Sequence, residues 1–264
     1  MDALMAGAQA PDALARLRQD IENIQHYQSD NAPLPLGLRR ADALLRGGLA
    51  RSVLHDIAPA APIHLGAATG FALAIAALSY KAAGRSGAGG RETVLIQTDM
   101  ARWEAGAAYG IGLGLFGQPV RRLLVLRARR PIDALFAMEE ALKCRAVSAV
   151  IAEMPDDTAD LTATRRLSLA ARTHDGIGLL LRHRMAAQPS AAVTRWDVAA
   201  LGGERDPFGG LGTTGFQLSL VKNRRGPCGA FRVAWSHHEL AFVETDPVAV
   251  AAPAFDRPAD AAIA

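Results

Sequence analysis

Hydrophobic and polar positions follow two different periods along the central part of the chain. Short and almost wholly apolar runs, typical of buried strands, lie at residues 52–57, 93–98, 123–126, 149–153 and 178–182. Apolar residues at helical spacing predict helices at residues 66–83, 101–108, 131–144 and 160–174. Apolar strands that alternate with helices are typical of a parallel sheet covered on both faces. The pattern therefore predicts a doubly wound α/β domain.

The carboxyl-terminal part of this domain has a different pattern, in which strands follow one another without helices between them. Residues 192–200, 216–222 and 230–235 are predicted to be consecutive strands joined by glycine-rich connections. Consecutive strands with short connections pair antiparallel. The predicted fold class is therefore α/β, with a mostly parallel central sheet that is flanked by helices and ends in antiparallel strands.

The two ends of the chain lie outside this pattern. Residues 12–28 carry apolar residues at helical spacing, so residues 1–33 are predicted to form an N-terminal helix and a linker. Residues 34–245 form the predicted domain, which starts with a short helix within residues 36–49. Residues 246–264 are rich in alanine and proline without periodicity, which predicts a disordered tail.

Composition excludes several classes of protein. The chain has 264 residues, of which 50% are hydrophobic and 21% charged, so it can build a large core and is not natively disordered. Its longest apolar stretches are shorter than the roughly 20 residues of a membrane span, and the N-terminus lacks the pattern of a secretory signal. Its two cysteines share no motif, which excludes a disulfide framework and a cysteine-based zinc site. We expect a soluble, cytoplasmic protein.

Two glycine-rich segments are candidate sites for a nucleotide. Residues 112–117 match the dinucleotide pattern G-x-G-x-x-G. A predicted helix precedes them and a predicted strand follows them, which is the reverse of the order that a dinucleotide site needs. A glycine-rich connection is the better interpretation there. Residues 65–72 lie between the first strand and a long helix, which is where a phosphate-binding loop is expected.

The second segment lacks the side chains of a P-loop. With Gly70 placed at the second glycine of G-x-x-x-x-G-K-[ST], Phe71 replaces the lysine and Ala72 replaces the hydroxyl residue. The chain has three lysines, and none of them follows a glycine. We therefore expect no cofactor and no ordinary ATPase reaction, although the helix end could hold an anion weakly. The predicted vestigial phosphate loop consists of Gly66, Thr69, Gly70, Phe71 and Ala72.

Two carboxylates stand where other ATPases carry catalytic groups. Glu153 ends an apolar strand, as in a Walker B strand with Glu in place of Asp, and Asp99 follows another strand at the place of a general base. The alternative for Glu153 is a polar residue at the exit of a buried strand. We interpret both as positional remnants without a catalytic role. His237 and His238 lack a third ligand at metal spacing, so no metal site is expected.

Basic residues provide candidate contacts for a partner. Lys222, Arg224 and Arg225 follow a strand into a tight turn, where cations can meet phosphate or carboxylate groups. Arg165, Arg166 and Arg172 share a face of one predicted helix, which is either a solvated surface or a contact for an acidic partner or DNA. The Arg195–Trp196 pair is either a strand with a buried indole or an interface anchor. The predicted partner-binding residues are Lys222, Arg224, Arg225, Arg165, Arg166, Arg195 and Trp196.

These segments, in this order, resemble the RecA-like ATPase fold. Residues 34–51, with their short helix and Gly-Gly-Leu, are similar to the family's lead-in to the first core strand. Residues 221–227 (VKNRRGP) resemble an element near the end of RecA-type cores whose cations reach across a subunit interface. Within that superfamily the chain resembles the ImuA family of inducible-mutagenesis proteins. The motifs that carry this resemblance are residues 34–38 (LPLGL), 66–71 (GAATGF), 138–144 (MEEALKC), 161–167 (LTATRRL), 194–196 (TRW) and 222–226 (KNRRG).

The resemblance implies an accessory protein of SOS-induced mutagenic translesion synthesis and DNA repair. It implies as partners an ImuB-type homologue of Y-family polymerases, a DnaE2-type polymerase and RecA, with DNA contact indirect and no membrane contact. Our principal hypothesis is a non-catalytic module that acts by protein–protein interaction with this mutasome. The alternatives are a divergent ATPase that uses Glu153 and Asp99, a protein that binds single-stranded DNA through the basic turn and residues 202–215, and a SulA-like inhibitor of cell division.

Overall fold

A computed structural model describes residues 31–85, 91–155, 157–184, 188–202 and 213–245. The predicted N-terminal helix at residues 12–28 and the predicted tail at residues 246–264 lie outside the described residues, as does most of the glycine-rich segment 202–215. The described strands form one nine-stranded sheet. They are β1 (Val53–Pro59), β2 (Glu92–Thr98), β3 (Leu123–Ala128), β4 (Val147–Met154), β5 (Ile177–Arg182), β6 (Thr194–Leu201), β7 (Thr214–Asn223), β8 (Gly229–Ser236) and β9 (Ala241–Glu244).

Six α-helices connect or precede these strands in the described residues. They are α1 (Arg39–Leu44), α2 (Leu65–Arg85), α3 (Asp99–Ala105), α4 (Gly110–Leu115), α5 (Pro131–Leu142) and α6 (Leu161–Ala171). Two of them begin at side-chain caps, because Thr98 accepts a hydrogen bond from the amide of Ala101 and Asp160 accepts one from the amide of Ala163. Such caps satisfy backbone donors that the first helical turn leaves unpaired.

The order of the strands confirms the predicted fold class. The sheet runs β3-β2-β4-β5-β1-β6-β7-β8-β9. The strands from β3 to β6 pair in parallel, and the strands from β6 to β9 pair antiparallel. The carboxyl ends of all the parallel strands therefore lie at one edge of the sheet, which is where ligands bind in open α/β sheets.

Both faces of the sheet are covered at the central parallel strands, as their wholly apolar sequences predict. The edge strand β3 differs from that prediction, because its Leu124 and Val125 are exposed. Helix α2 packs on one face, against side chains such as Ile57 and Ile151. Helices α5 and α6 pack on the other face, against side chains such as Leu54 and Val150. Successive residues of a strand point to opposite faces, so strands in the middle of this sheet are buried at every position. All seven residues of β1 are buried.

Backbone geometry explains why positions 47 and 48 are both glycine. Both glycines follow α1 and have positive φ angles, which most other residues avoid. A Cβ atom at Gly48 would overlap the carbonyl oxygen of Leu34. The pair therefore lets Leu34 form its β-bridge with Leu49 immediately before the first strand of the sheet.

Two short elements were not predicted. Residues 112–117 were expected to be a connection, yet Gly112 and Gly114 lie inside α4, where the buried Leu113 anchors the helix against the core. Glycine is a poor helix former, so tertiary packing overrides local preference at this position. The prediction of residues 112–117 as a plain connection was therefore wrong.

Strand β9 is the second of these elements. It has four residues, and its Phe242 is buried against the aromatic part of the core.

The helix at Pro62–Gly84 is long and apolar enough to cross a membrane by length and composition. More than half of its most apolar window is buried inside the protein, where it covers a face of the sheet. Phe71, Ala72 and Ile75 are fully buried in this interface. A buried core helix passes the same length and hydropathy test, so the packing explains the apolar run.

Phe71 lies at the centre of an aromatic cluster that joins α2 to the antiparallel part of the sheet. Its ring centroid is 5.5 Å from that of Trp196, 6.3 Å from that of Phe216 and 5.7 Å from that of Phe242. These tilted pairs have the separations that aromatic side chains prefer. The cluster fixes the first turns of α2 against β6, β7 and β9.

We predict that Phe71→Ala lowers the free energy of unfolding by about 3–5 kcal/mol, because it leaves a cavity in a packed core. Urea denaturation measures the loss. Phe136→Ala is the matched control, since Phe136 on α5 is 63% exposed and its truncation is expected to cost about 0.5 kcal/mol or less. Equal losses in the two variants would contradict the place of Phe71 in the core.

Candidate functional site

A cleft of about 480 Å³ opens at the carboxyl edge of the parallel strands. Its floor carries Leu95 and Gln97 of β2 and Glu153 of β4. One wall is the first two turns of α2, and the other is formed by residues 104–109 together with α4. The cleft therefore lies where the sequence places a phosphate loop and a Walker B-like carboxylate.

The residues of the predicted vestigial phosphate loop are divided between the cleft and the core. Gly66, Thr69 and Gly70 line the cleft, whereas Phe71 and Ala72 have no exposed surface and point into the core. The hydroxyl of Thr69 donates to the carbonyl oxygen of Leu65 within its own helix. Phe71, which stands where a P-loop would carry its lysine, therefore packs in the core and does not reach the cleft.

The cleft is also narrowed by an aromatic ring from the opposite wall. A Cβ atom at Gly70 would lie 2.8 Å from Cζ of Phe116, so the ring of Phe116 rests directly on the backbone of α2. Glycine at this position permits that close approach. The space beside Gly70, where backbone amides of a phosphate loop would meet a ligand, is thus partly filled by Phe116.

Glu153 is held by an internal chain of hydrogen bonds. It is 4% exposed, and its Oε2 accepts from Nε2 of Gln97 at 2.9 Å. The Oε1 atom of Gln97 in turn accepts from the amide of Ala108 at 3.0 Å. Burial raises the pKa of Glu153, while Gln97 and the nearby His183 partly oppose that rise. Glu153 thus connects β4 and β2 to the wall that follows α3.

The second carboxylate of the cleft, Glu104, was missed by the sequence analysis. Its Oε2 lies 3.2 Å from Nδ1 of His183, which follows β5, and Nε2 of that buried histidine has no partner. The only sequence signal for this pair is that each residue follows the carboxyl end of a strand. The described residues that line the cleft include two acidic residues, Glu104 and Glu153. They include no lysine and no arginine.

Asp99 is not part of this cleft. It begins α3 and forms an ion pair with Arg127 of β3. The hydrogen bond from Arg127 lowers the pKa of Asp99. The structure therefore separates the two carboxylates that the sequence analysis considered together. In the part of the chain that the structure describes, no group of three His, Cys, Asp or Glu residues could hold a metal ion.

A second cleft, of about 400 Å³, brings three of the predicted basic residues together. We call it the arginine groove: Arg165 and Arg172 come from the α6 side, and Arg224 comes from the turn after β7. Leu169 of α6, which is 61% exposed, lies in the same groove. Arg166 does not line the groove, because it pairs with Glu139 of α5 at 2.8 Å.

Lys222 and Arg225 are less accessible than the sequence analysis assumed. The Nζ atom of Lys222 donates to the carbonyl oxygen of Ser190 at 2.6 Å, and burial lowers the pKa of this lysine to about 8, with Arg224 adding repulsion. Burial and the charge of Arg46 also lower the pKa of Arg225. The half-buried side chain of Lys222 therefore holds the segment before β6, and its role as a docking cation stays a prediction.

Trp196 belongs to the interior, and the neighbouring Arg195 is largely buried, with 15% of its side chain exposed. Asp56 of β1 is fully buried, and its Oδ2 accepts from Nη2 of Arg195 at 3.1 Å, while its Oδ1 lies 3.5 Å from Nε of Arg182. The indole of Trp196 is fully buried and donates to the hydroxyl of Thr194. The assignment of Trp196 to a partner surface is therefore corrected, and its buried-indole interpretation is confirmed. The assignment of Arg195 to a partner surface stays a prediction.

No protein family profile matches the chain. Over 130 residues it is 35% identical to the protein named Protein ImuA of Caulobacter vibrioides strain NA1000 / CB15N, an alignment that covers 45% of this chain and 52% of the relative. Protein ImuA of strain ATCC 19089 / CIP 103742 / CB 15 matches to the same extent. The chain thus spans about half the length of the curated relatives it matches. Over that part, the predicted resemblance to ImuA proteins is confirmed.

We predict that Glu153→Gln raises the melting temperature at neutral pH and has little effect below pH 4.5. Because burial raises the pKa of Glu153 above 4.5 in the folded chain, the folded state binds this proton more tightly than the unfolded state. The stability that depends on this group is therefore highest at low pH and falls as the pH rises through the folded pKa. Gln removes the charge and keeps an acceptor for Gln97.

Thermal melts at the two pH values measure this effect, with the exposed Glu140→Gln as the control for loss of a carboxylate. The prediction would be contradicted if Glu153→Gln melted at a lower temperature than the unsubstituted chain at neutral pH.

Proposed function

We propose that this chain is a non-catalytic accessory protein of the damage-induced mutagenesis pathway, that it works in the cytoplasm, and that it acts by binding other proteins of that pathway. The similarity to Protein ImuA supports the pathway. A RecA-like ancestry of residues 34–245 is part of the proposal, since a fold that once paired subunits across a nucleotide can keep a pairing surface after hydrolysis is lost.

The observation that carries the non-catalytic part is the chemistry of the cleft at the carboxyl edge. Enzymes that transfer phosphoryl groups stabilise the charge of the phosphates with lysine, arginine and Mg²⁺. In this cleft Phe71 has turned into the core, and the charged groups among the described lining residues are the carboxylates of Glu104 and Glu153. Two carboxylates repel a nucleoside triphosphate, so the cleft favours a function without nucleotide hydrolysis.

The arginine groove is the proposed surface for a pathway partner. Guanidinium groups bind carboxylates with two hydrogen bonds, and the exposed Leu169 offers apolar contact beside them. The groove therefore suits an acidic segment of a protein that also carries apolar side chains. The second candidate, single-stranded DNA, is less well matched, because its bases stack on aromatic side chains and the described lining of the groove contains none.

The proposed partners are an ImuB-type polymerase homologue, a DnaE2-type polymerase and RecA. The test is pairwise binding of the purified full chain to each of these three proteins and to single-stranded DNA, at two salt concentrations. A complex with one of the proteins is expected. Binding to DNA alone, with a steep loss of affinity at high salt, would replace the proposal with the second candidate.

We predict that Arg165→Glu combined with Arg224→Glu weakens binding to the protein partner by at least about tenfold, because two cations of the groove become repulsive. Arg39→Glu is the matched control. It makes the same charge reversal at an exposed arginine of α1 that lies outside the groove. Titration calorimetry measures the Kd, and damage-induced mutation frequency gives the second readout. Unchanged affinity and unchanged mutagenesis in the double variant would refute the groove as the docking surface.

A further inference from the structure

The rim of the cleft at the carboxyl edge is unusually apolar for a protein surface. Large side chains with high exposure lie on the segments that border it. They are Ile63 and Trp103 at 86% exposure each, Tyr109 and Ile111 at 67% each, and Leu115 at 57%. Tyr109 lines the cleft itself, and each of the others lies within two residues of a lining residue. Exposed apolar patches that surround a depression mark protein interaction sites.

The interior of this cleft carries negative charge, whereas the arginine groove carries positive charge. Glu104 and Glu153 line it, and the described lining contains no lysine or arginine. The amino end of α2 also faces the cleft and is equivalent to roughly half a positive charge. His183, which lies 3.2 Å from Glu104, adds positive charge only when it is protonated. Two carboxylates outweigh the partial charge of the helix, so a cation is favoured inside the cleft while His183 is neutral.

The walls fit the stem of a long basic side chain. Tyr109 and Phe116 present aromatic rings, and Leu65 and Leu113 add aliphatic surface. Arginine and lysine place their methylene groups along such surfaces and bring their charged ends to carboxylates or ring faces. A volume of about 480 Å³ holds one such side chain together with part of its neighbours.

We propose that this cleft is a second docking site, which takes an arginine or lysine side chain carried on an apolar segment of a partner protein. The basic group pairs with Glu104 and Glu153, and the apolar neighbours of that group cover Trp103, Tyr109 and Ile111. The proposal goes beyond the proposed function, because it concerns another surface, with the opposite charge, and does not depend on which pathway the chain serves.

The test is a selection of random displayed peptides on the full chain that carries Arg165→Glu and Arg224→Glu, so that the arginine groove is reversed in charge. The expected result is enrichment of peptides with an arginine or lysine flanked by apolar or aromatic residues. A synthetic peptide of the enriched sequence is then titrated. Replacing its basic residue by glutamine is expected to weaken binding about fivefold or more.

Matching variants of the chain identify the cleft. Glu104→Gln and Glu153→Gln are each expected to weaken the peptide about fivefold, and Trp103→Ser is expected to weaken it as well. Glu104 and Trp103 are exposed, so those two variants test the cleft without changing a buried side chain. Glu140→Gln, which removes a carboxylate elsewhere, is expected to leave the Kd unchanged.

The failure of this proposal is distinguishable from the failure of the proposed function. No enrichment, enrichment of acidic or uncharged peptides, or an unchanged Kd in Glu104→Gln and Trp103→Ser would overturn the cleft as a docking site. None of these results concerns binding at the arginine groove. Conversely, a chain that binds none of the pathway proteins but binds the basic peptide at Glu104 would refute the proposed function and support this site.

Discussion

The burial of Phe71 is the constraint on which the rest of the structure depends. This residue lies near the start of a long helix after the first strand, at the position where the phosphate loop predicted from the sequence would carry its lysine. Its ring instead packs among Trp196, Phe216 and Phe242, and thereby joins the helix to the antiparallel part of the sheet. One side chain cannot serve both purposes, so the packing of Phe71 in the core accounts for the lack of a cation at this position among the described residues of the cleft.

The charges of the molecule are divided between the interior and two surfaces of opposite sign. Asp56 forms ion pairs with both Arg195 and Arg182 at the sheet, where an unpaired buried guanidinium group would be costly. The arginine groove collects positive charge beside α6. The cleft at the carboxyl edge collects negative charge on Glu104 and Glu153. Two proposed docking surfaces of opposite charge would let the chain hold two different partners at once.

The order of the elements could be predicted from the sequence because apolar runs and helical periodicity report burial directly. Eight strands of the sheet were expected near their observed positions, and β9 was missed because four residues are too few to show a period. Side-chain direction could not be predicted from the same pattern. The sequence leaves open whether Trp196 is buried or lies at an interface, because residue type does not tell which side of a strand is covered.

The cleft shows the same limit of sequence patterns. The position of Glu153 followed from the end of its strand, whereas Glu104 and His183 come together only through the connections that follow β2 and β5. The arginine groove depends on contact between α6 and a turn that lies more than fifty residues further along the chain. Such contacts between distant segments have no local signature in a single sequence.

The most direct test of the central claim is phosphate release from ATP with Mg²⁺ by the purified full chain, measured beside Glu153→Gln. With Phe71 in the core and two carboxylates lining the cleft, the chain is expected to release no phosphate above the buffer blank and to give no saturable heat of binding with ATP. Phosphate release that Glu153→Gln abolishes would contradict the claim and would make the chain an ATPase.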